Sequence, residues 1–314
     1  QSAWHVTRLL PGIFQGILYM RDAFCLPGTA HAAVHPEEKV MNVFAVDHDL
    51  CRKDGICAMV CPVHIIDAEV GAYPTMDKHK AAYCIGCGQC MAFCPTQACA
   101  APGLDRKDCQ ILHPEHMPTA EQVEELAASR RSVRNFKNKN IPREQFERLL
   151  AAARFAPTAK NVQNLRWIVL ESREQVVRLA ELVVDWLRIL PQVDPTLGGD
   201  VHANGLASAW DKGIDVITRT APHLAVVVAP QWHWGRTDSA IAATYLELLA
   251  HAQGIGCCWG GYICTALEHP AAQPVRDFLG IGPDEMAFAA QMMGYPLFKS
   301  KARPVRKQPD VTWK

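Results

Sequence analysis

Thirteen cysteines in a chain of 314 residues are the first feature with chemical consequences. Eight of them (Cys51, Cys57, Cys61, Cys84, Cys87, Cys90, Cys94 and Cys99) fall within a window of 49 residues. A secreted disulfide framework spreads its cysteines through a small chain, whereas thiols gathered in one segment suit metal ligation in a reducing compartment. The crowding points to metal and to a cytoplasmic protein. The second run reads Cys84-Ile-Gly-Cys87-Gly-Gln-Cys90-Met-Ala-Phe-Cys94-Pro95. Subtracting 33 from each ligand position gives Cys51, Asp54, Cys57 and Cys61, followed by Pro62, so an internal repeat is in register at every ligand position. Zinc sites also use Cys-x2-Cys pairs, but they need neither eight repeated ligand positions nor a proline after each fourth one.

The C-x2-C-x2-C-x3-C-P spacing of the second run resembles that of bacterial ferredoxins. There a tight loop aims three thiolates at one cubane cluster while the fourth points at another. Gly86 and Gly88 would let the backbone wrap closely and turn its N–H groups towards the sulfides. The resemblance implies two [4Fe-4S] clusters, one held by Cys84, Cys87, Cys90 and Cys61, the other by Cys51, Cys57 and Cys94. Asp54 stands where the pattern asks for cysteine. Three alternatives stay open: Asp54 ligates the fourth iron through oxygen, the site holds a [3Fe-4S] cluster, or a spare thiol such as Cys99 completes it. Carboxylate is a harder ligand than thiolate, so an iron held there is more easily lost.

The elements that must position these groups divide the chain into four parts. Residues 1–40 have no clear periodicity and form an N-terminal extension of unclear role; Met41, followed at once by a strand-like alternation, is an alternative start. Residues 41–103 form the cysteine module, 104–118 a proline-containing linker, and 119–314 a mixed α and β domain. Thr119 and Gln122 fit a capping box opening a helix with Val123 and Leu126 behind it. Residues 142–153 read as a helix with Phe146, Leu149, Leu150 and Ala153 on one stripe. A short strand is expected over 167–170, a long helix over 173–190 ended by Pro191, and a surface loop or lid over 192–213. Residues 223–229 read as a buried strand, and 238–253 as a helix apolar almost all round, central to a core or a subunit interface.

Three segments of this domain carry further chemistry. Arg130-Arg-Ser-Val-Arg-Asn-Phe136 is basic; Ala156-Pro-Thr-Ala-Lys-Asn161-Val-Gln163 lies between a helix and a strand; Gly254-Ile-Gly-Cys-Cys-Trp-Gly-Gly261-Tyr follows the apolar helix. With Gly294-Tyr-Pro near the C-terminus, their order and wording resemble the FMN-dependent nitroreductase family from about residue 120 onward. The resemblance implies an α+β nitroreductase-like fold, a mixed and mainly antiparallel sheet flanked by helices, behind a ferredoxin-like two-cluster domain. It implies that Arg130, Arg131, Ser132 and Arg134 hold the FMN phosphate and ribityl chain, since guanidinium forks suit phosphate oxygens. Pro157, Thr158, Asn161 and Gln163 would line the isoalloxazine edge, and Gly260 and Gly261 would bring backbone N–H groups to flavin N5 and O4. Arg303 and Arg306 would complete the phosphate site. A homodimer is implied, with a C-terminal arm reaching over the partner.

Other readings are weaker. Gly254-x-Gly256 follows a helix rather than a strand, which argues against a dinucleotide fingerprint. Cys257 and Cys258 read as packed thiols rather than nucleophiles, and Trp232, His233 and Trp234 either flank a substrate pocket or cap a strand. Thirty-two basic and 32 acidic residues cancel, leaving no global field for nucleic acid, and residues 9–20 are too short and broken to span a bilayer. No protein acid–base pair stands out, as expected where a flavin does the chemistry. The expected activity is an oxidoreductase reducing a small organic acceptor (a nitroaromatic, quinone or activated alkene), with reduced ferredoxin, flavodoxin or NAD(P)H as donor. The alternatives are an electron-transfer module serving a protein partner, and a flavin-modifying or dehalogenating relative.

Overall fold

The computed structural model describes residues 44–69 and 71–314; the expected extension over 1–40 lies outside them. The cysteine module is closed by a two-stranded antiparallel pair, β1 (Ala45–Val46) and β2 (Cys99–Ala100), which joins its two ends. Between them the repeat is built twice. Helices α1 (Ile56–Met59) and α2 (Gln89–Ala92) begin at equivalent glycines, Gly55 at φ 72° and Gly88 at φ 67°, both left-handed. Side-chain-bearing residues rarely accept that conformation, which explains why glycine recurs at these two positions. The small core of the module gathers Phe44, Ile65, Ile66 and Met91 with the buried sulfurs of Cys57, Cys61, Cys90 and Cys99.

Beyond the linker, α3 (Ala120–Ser129) opens on the expected capping box, Thr119 and Gln122 each accepting from the other's backbone N–H. None of its residues is buried, and Val123 is 48% exposed. Helix α4 (Arg143–Ala153) turns Phe146, Leu149 and Ala153 inward. Strand β3 (Arg166–Leu170) leads through a second capping box, Ser172 with Gln175, into α5 (Arg173–Val193). Pro191 does not end this helix. It sits in the last turn, where a missing N–H forfeits a single bond, and Asp194 N still donates to Leu190 O.

The surface loop or lid expected over 192–213 is also corrected: it holds two helices, α6 (Pro195–Asp200) and α7 (Ala203–Asp211). Packing overrides the poor helix propensity of its glycines, because Gly198 is buried against Pro191 and Ala203 and Ala207 are buried in the core that covers α5.

Strand β4 (His223–Pro230) follows, then α8 (Gly235–Ala252), β5 (Gly256–Trp259), α9 (Gly261–Glu268), α10 (Gln273–Leu279) and β6 (Glu285–Gly294). The sheet order is β3-β4-β6-β5 and every neighbouring pair is antiparallel. Strand β4 is apolar throughout because both its faces are covered. Leu224, Val226 and Val228 face the cluster built on α5, Ala225 packs with residues of α4 and α8, and Val227 joins a small cluster with Ala243 of α8. On β6 the register shifts opposite Val227 and Val228, so Ala287 lies on the same side as Ala290 and Met292. A bulged residue reverses the alternation in this way. Helix α8 starts three residues earlier than expected and is not apolar all round; it buries Ala242, Ala243, Leu246 and Ala250 and exposes Thr244 and Tyr245. Among the described residues no helix is long and apolar enough to cross a membrane.

Candidate functional site

The ligand-type side chains of the cysteine module separate into two pockets. Cys51, Asp54, Cys57 and Cys94 line the first, with Cys99 behind them. Cys61, Cys84, Cys87 and Cys90 line the second. Each pocket takes three groups from one run and one from the other, because α1 and α2 carry the fourth residue of each run across to its neighbour.

In the first pocket Asp54 Oδ1 accepts from Ile56 N at 3.1 Å, and among the described residues Oδ2 has no hydrogen-bond partner. Backbone N–H groups point at two of its sulfurs, Lys53 N to Cys51 Sγ at 3.4 Å and Ala98 N to Cys94 Sγ at 3.2 Å. The Cys99 thiol donates to Cys90 O at 2.9 Å. A separate contact between the Cys99 and Cys57 thiols draws Cys57 down to about 7 and pushes Cys99 up. The donor sets fit iron–sulfur clusters: sulfur-rich pockets with N–H groups directed at sulfur, and one oxygen donor in the first. His113, Glu115 and His116 also bring ligand atoms within 4.8 Å of one another, but all three are exposed on the linker, outside both pockets.

The basic segment after α3 runs alongside β5. Ser132 bridges Cys257, and Val133 N donates to Cys257 O at 2.9 Å. A Cβ on Gly256 would lie 2.6 Å from Val133 Cγ2, so only glycine allows this approach. Arg130 Nη1 pairs with Glu247 Oε1 of α8 at 2.8 Å, and Ser129 Oγ lies 2.8 Å from His251 Nε2. Arg131 Nη2 donates to Ala128 O at 2.7 Å, while its buried Nε has no partner. Burial and then the Arg130 charge hold the His251 imidazole below its ordinary pKa.

Burial raises the Cys258 thiol against the opposing charges of Arg134 and Arg219. Cys257 is pushed up by burial as well, so both behave as packed thiols. Next to this segment Gly260 N donates to Ala290 O at 2.9 Å. At Gly261, where α9 begins, a Cβ would meet nothing within 4 Å. Arg130, Arg134 and Arg219 all put positive charge at Cys258, a surrounding that fits an anionic group rich in acceptors.

The segment 157–163 is held in a strained shape. Lys160, Asn161 and Gln163 have φ of 53°, 54° and 46°. For residues with side chains this region costs roughly 1–2 kcal/mol each. Buried Asp238 of α8 offsets part of that by accepting from Ala159 N at 2.9 Å, and Thr158 Oγ1 accepts from Gln163 N at 3.1 Å. The Asn161 amide faces the cysteine module: Nδ2 donates to Ile85 O at 3.1 Å and to Gly86 O at 3.0 Å.

Arg303 pairs with Glu125 of α3, and Arg306 is exposed. Among the described residues no hydrogen bond joins either to Arg130, Arg131, Ser132 or Arg134. His233 and Trp234 stack edge to face at 4.6 Å between β4 and α8, with Trp234 45% exposed.

A family model described as the nitroreductase family matches residues 127–295, more than half of the chain. The chain belongs to the nitroreductase family. It is an oxidoreductase with a second match, a 4Fe-4S binding domain over residues 44–67, the stretch that contains Cys51, Asp54, Cys57 and Cys61. A protein of Archaeoglobus fulgidus, provisionally named NADH dehydrogenase/NAD(P)H nitroreductase, is 25% identical over 176 residues, 56% of this chain and 86% of that protein. A protein of the same name from Methanothermobacter thermautotrophicus is 25% identical over 174 residues, 55% of this chain and 77% of that protein. Among solved structures, a nitroreductase with bound FMN from Bacteroides fragilis shares the fold at a TM-score of 0.50 and 21% identity, over 61% of this chain and 99% of that one. One from Desulfitobacterium hafniense does so at 0.50 and 22%, over 62% and 99%.

Four residues that hold or flank the candidate site, or brace the loop beside it, were not singled out from the sequence of this family member: Asp238, Glu247, Arg219 and Asp215. Asp238 and Glu247 left a trace, as acids in a largely apolar helix, Asp238 buried and Glu247 half-buried against Arg130. Arg219 and Asp215 left none, since they sit in a turn whose shape only the fold defines.

Proposed function

We propose that the chain reduces a small organic acceptor by two electrons, taking them one at a time from a one-electron carrier. What supports this reading is one observation above the others: eight ligand positions sorted into two four-membered pockets, in a chain of the nitroreductase family. Bound clusters would relay single electrons, and bound FMN would turn pairs of them into two-electron delivery.

Cys61, Cys84, Cys87 and Cys90 would hold one [4Fe-4S] cluster, and Cys51, Cys57, Cys94 and Asp54 the other. Arg130, Arg131, Ser132 and Arg134 would hold the flavin phosphate, with Arg219 adding positive charge beside Cys258. Pro157, Thr158 and Gln163 would shape the flavin edge, and the N–H of Gly261 would donate to the ring; that of Gly260, expected to do the same, is instead given to Ala290 O at 2.9 Å. Arg303 and Arg306 would reach a phosphate site in a homodimer, where the exposed arm meets a partner. The domains are best divided at 41–103, 104–118 and 119–314, since β2 ends at Ala100 and α3 begins at Ala120.

The test is anaerobic reoxidation. Protein reduced by dithionite should be reoxidised by a nitroaromatic or a quinone faster than free FMN is; equal rates would sink the reading and favour a module serving a protein partner. The donor is settled in the same apparatus by comparing NAD(P)H, which the names of the two relatives favour, with reduced ferredoxin.

A further inference from the structure

Among the described residues, two hydrogen bonds join residues 44–118 to residues 119–314, and one side chain makes both. Asn161 Nδ2 donates to Ile85 O at 3.1 Å and to Gly86 O at 3.0 Å. The orientation of the amide follows from its partners, because both are carbonyls and only the NH2 end can donate to them. Ile85 and Gly86 lie between Cys84 and Cys87, and Ile85 lines the second pocket itself. The residues lining the first pocket all fall between Val46 and Cys99, and none of them hydrogen-bonds to residues 119–314.

The clamp is also costly to build. Asn161 sits at φ 54° next to Lys160 at φ 53°, and Asp238 and Thr158 hold the surrounding loop in that shape. Backbone strain maintained by a buried carboxylate is expected where a side chain must be aimed. Here the strain aims the amide away from its own domain and at the cysteine loop.

We infer that Asn161 is a positioning residue that fixes the second-run loop against the flavin loop 157–163, making the pocket of Cys61, Cys84, Cys87 and Cys90 the exit for electrons and the Asp54 pocket their entry. This rests on the function proposed above. The balance is simple: two reduced one-electron iron–sulfur or flavin protein donors each lose one electron, and one acceptor gains two electrons with two protons from solvent. Transfer between sites falls steeply with separation, so the docked pocket controls the rate.

The test uses the full holoprotein and two substitutions. Asn161→Gly keeps the left-handed backbone and removes the amide. Asn161→Asp keeps the shape but sets a carboxylate against two carbonyl oxygens. In both, amide hydrogen exchange at residues 84–88 should quicken by about tenfold, and cluster-to-flavin transfer in stopped flow should slow by about tenfold, at unchanged iron and FMN content. Asn161→Asp alone should also move the second-run cluster to a more negative potential in an EPR-monitored titration, because a charge now stands beside it. Wild-type exchange and rates in both variants would overturn the inference. So would loss of FMN with exchange at 84–88 unchanged, which would make Asn161 a flavin-edge residue. If the wild-type clusters reduce but FMN never follows, the proposed function fails instead, and the exchange experiment alone decides whether Asn161 holds the loop.

Discussion

At the first pocket one residue sets the chemistry apart. Asp54 uses Oδ1 to accept from Ile56 N, which fixes the side chain and leaves Oδ2 for the pocket. An iron held by that single oxygen should be the first to leave. Asp54→Cys is expected to slow iron loss to a chelator several-fold and to remove any three-iron signal from the EPR spectrum of air-exposed protein. An unchanged spectrum would make Asp54 only a loop acid. The cysteines and Asp54 were legible in the sequence because ligand chemistry resides in residue type and spacing, and the 33-residue repeat doubled the signal. The direction of the Asn161 amide was not legible. It depends on a loop 75 residues away in sequence, and no local pattern encodes which neighbour an αL asparagine will meet.

Elements position the basic segment, and two of their features can be tested. Gly256 lets Val133 approach β5, and a Cβ would come within 2.6 Å of Val133 Cγ2. Gly256→Ala should therefore cost about 1–3 kcal/mol in a thermal or denaturant melt, the usual penalty of overpacking. It should also weaken FMN binding, because the strand and the arginines move together.

Asp215 is the second feature. It accepts from the backbone of Ile217, Thr218 and Thr220 and pairs with Arg173 Nη2 at 2.9 Å. Burial pushes its carboxyl up, but the Thr218 and Arg173 contacts outweigh this and hold it below the ordinary carboxylate range. Its stabilisation is thus fully present above the unfolded pKa of about 3.9 and is lost as pH falls through the lower folded value. Asp215→Asn should lower stability near neutral pH by roughly 2 kcal/mol, and in urea melts the deficit should shrink as pH falls below the unfolded pKa of about 3.9.

The helix α4, strand β4 and the Thr119 capping box were legible because periodicity and caps are local signals; the Ser172 box, equally local, was passed over. Pro191 and the 192–213 segment were misread for a tertiary reason. Burial of Gly198 against Pro191 stabilises helices that composition alone disfavours.

At the scale of the whole molecule, residues 297–314 form an extended stretch whose apolar side chains are uncovered among the described residues: Phe298 is 72% exposed, Val305 98% and Trp313 90%. Such a stretch is expected to be buried in a dimer. Removing residues 297–314 should shift sedimentation towards the monomer and lower FMN occupancy; a truncated protein that stays dimeric with full flavin would exclude the arm from both roles. None of this packing is encoded within a single segment, which explains why the sequence led to the arm only through family resemblance.

The exchange of one cysteine between the two runs has a consequence for how the protein is made. Cys61 belongs to the second pocket and Cys94 to the first, so the two pockets are linked like the halves of a clasp. A ribosome that has emitted only the first run has completed neither. If the pockets hold clusters, the second is complete once Cys90 has emerged and the first only when Cys94 follows, so both would fill late and close together. Damage would follow the same logic: iron lost from the Asp54 pocket would free Cys94, close in sequence to α2, which carries Cys90 of the other pocket. Under oxidative stress iron loss should accordingly start at the Asp54 pocket, with a three-iron signal preceding loss of the second pocket's signal.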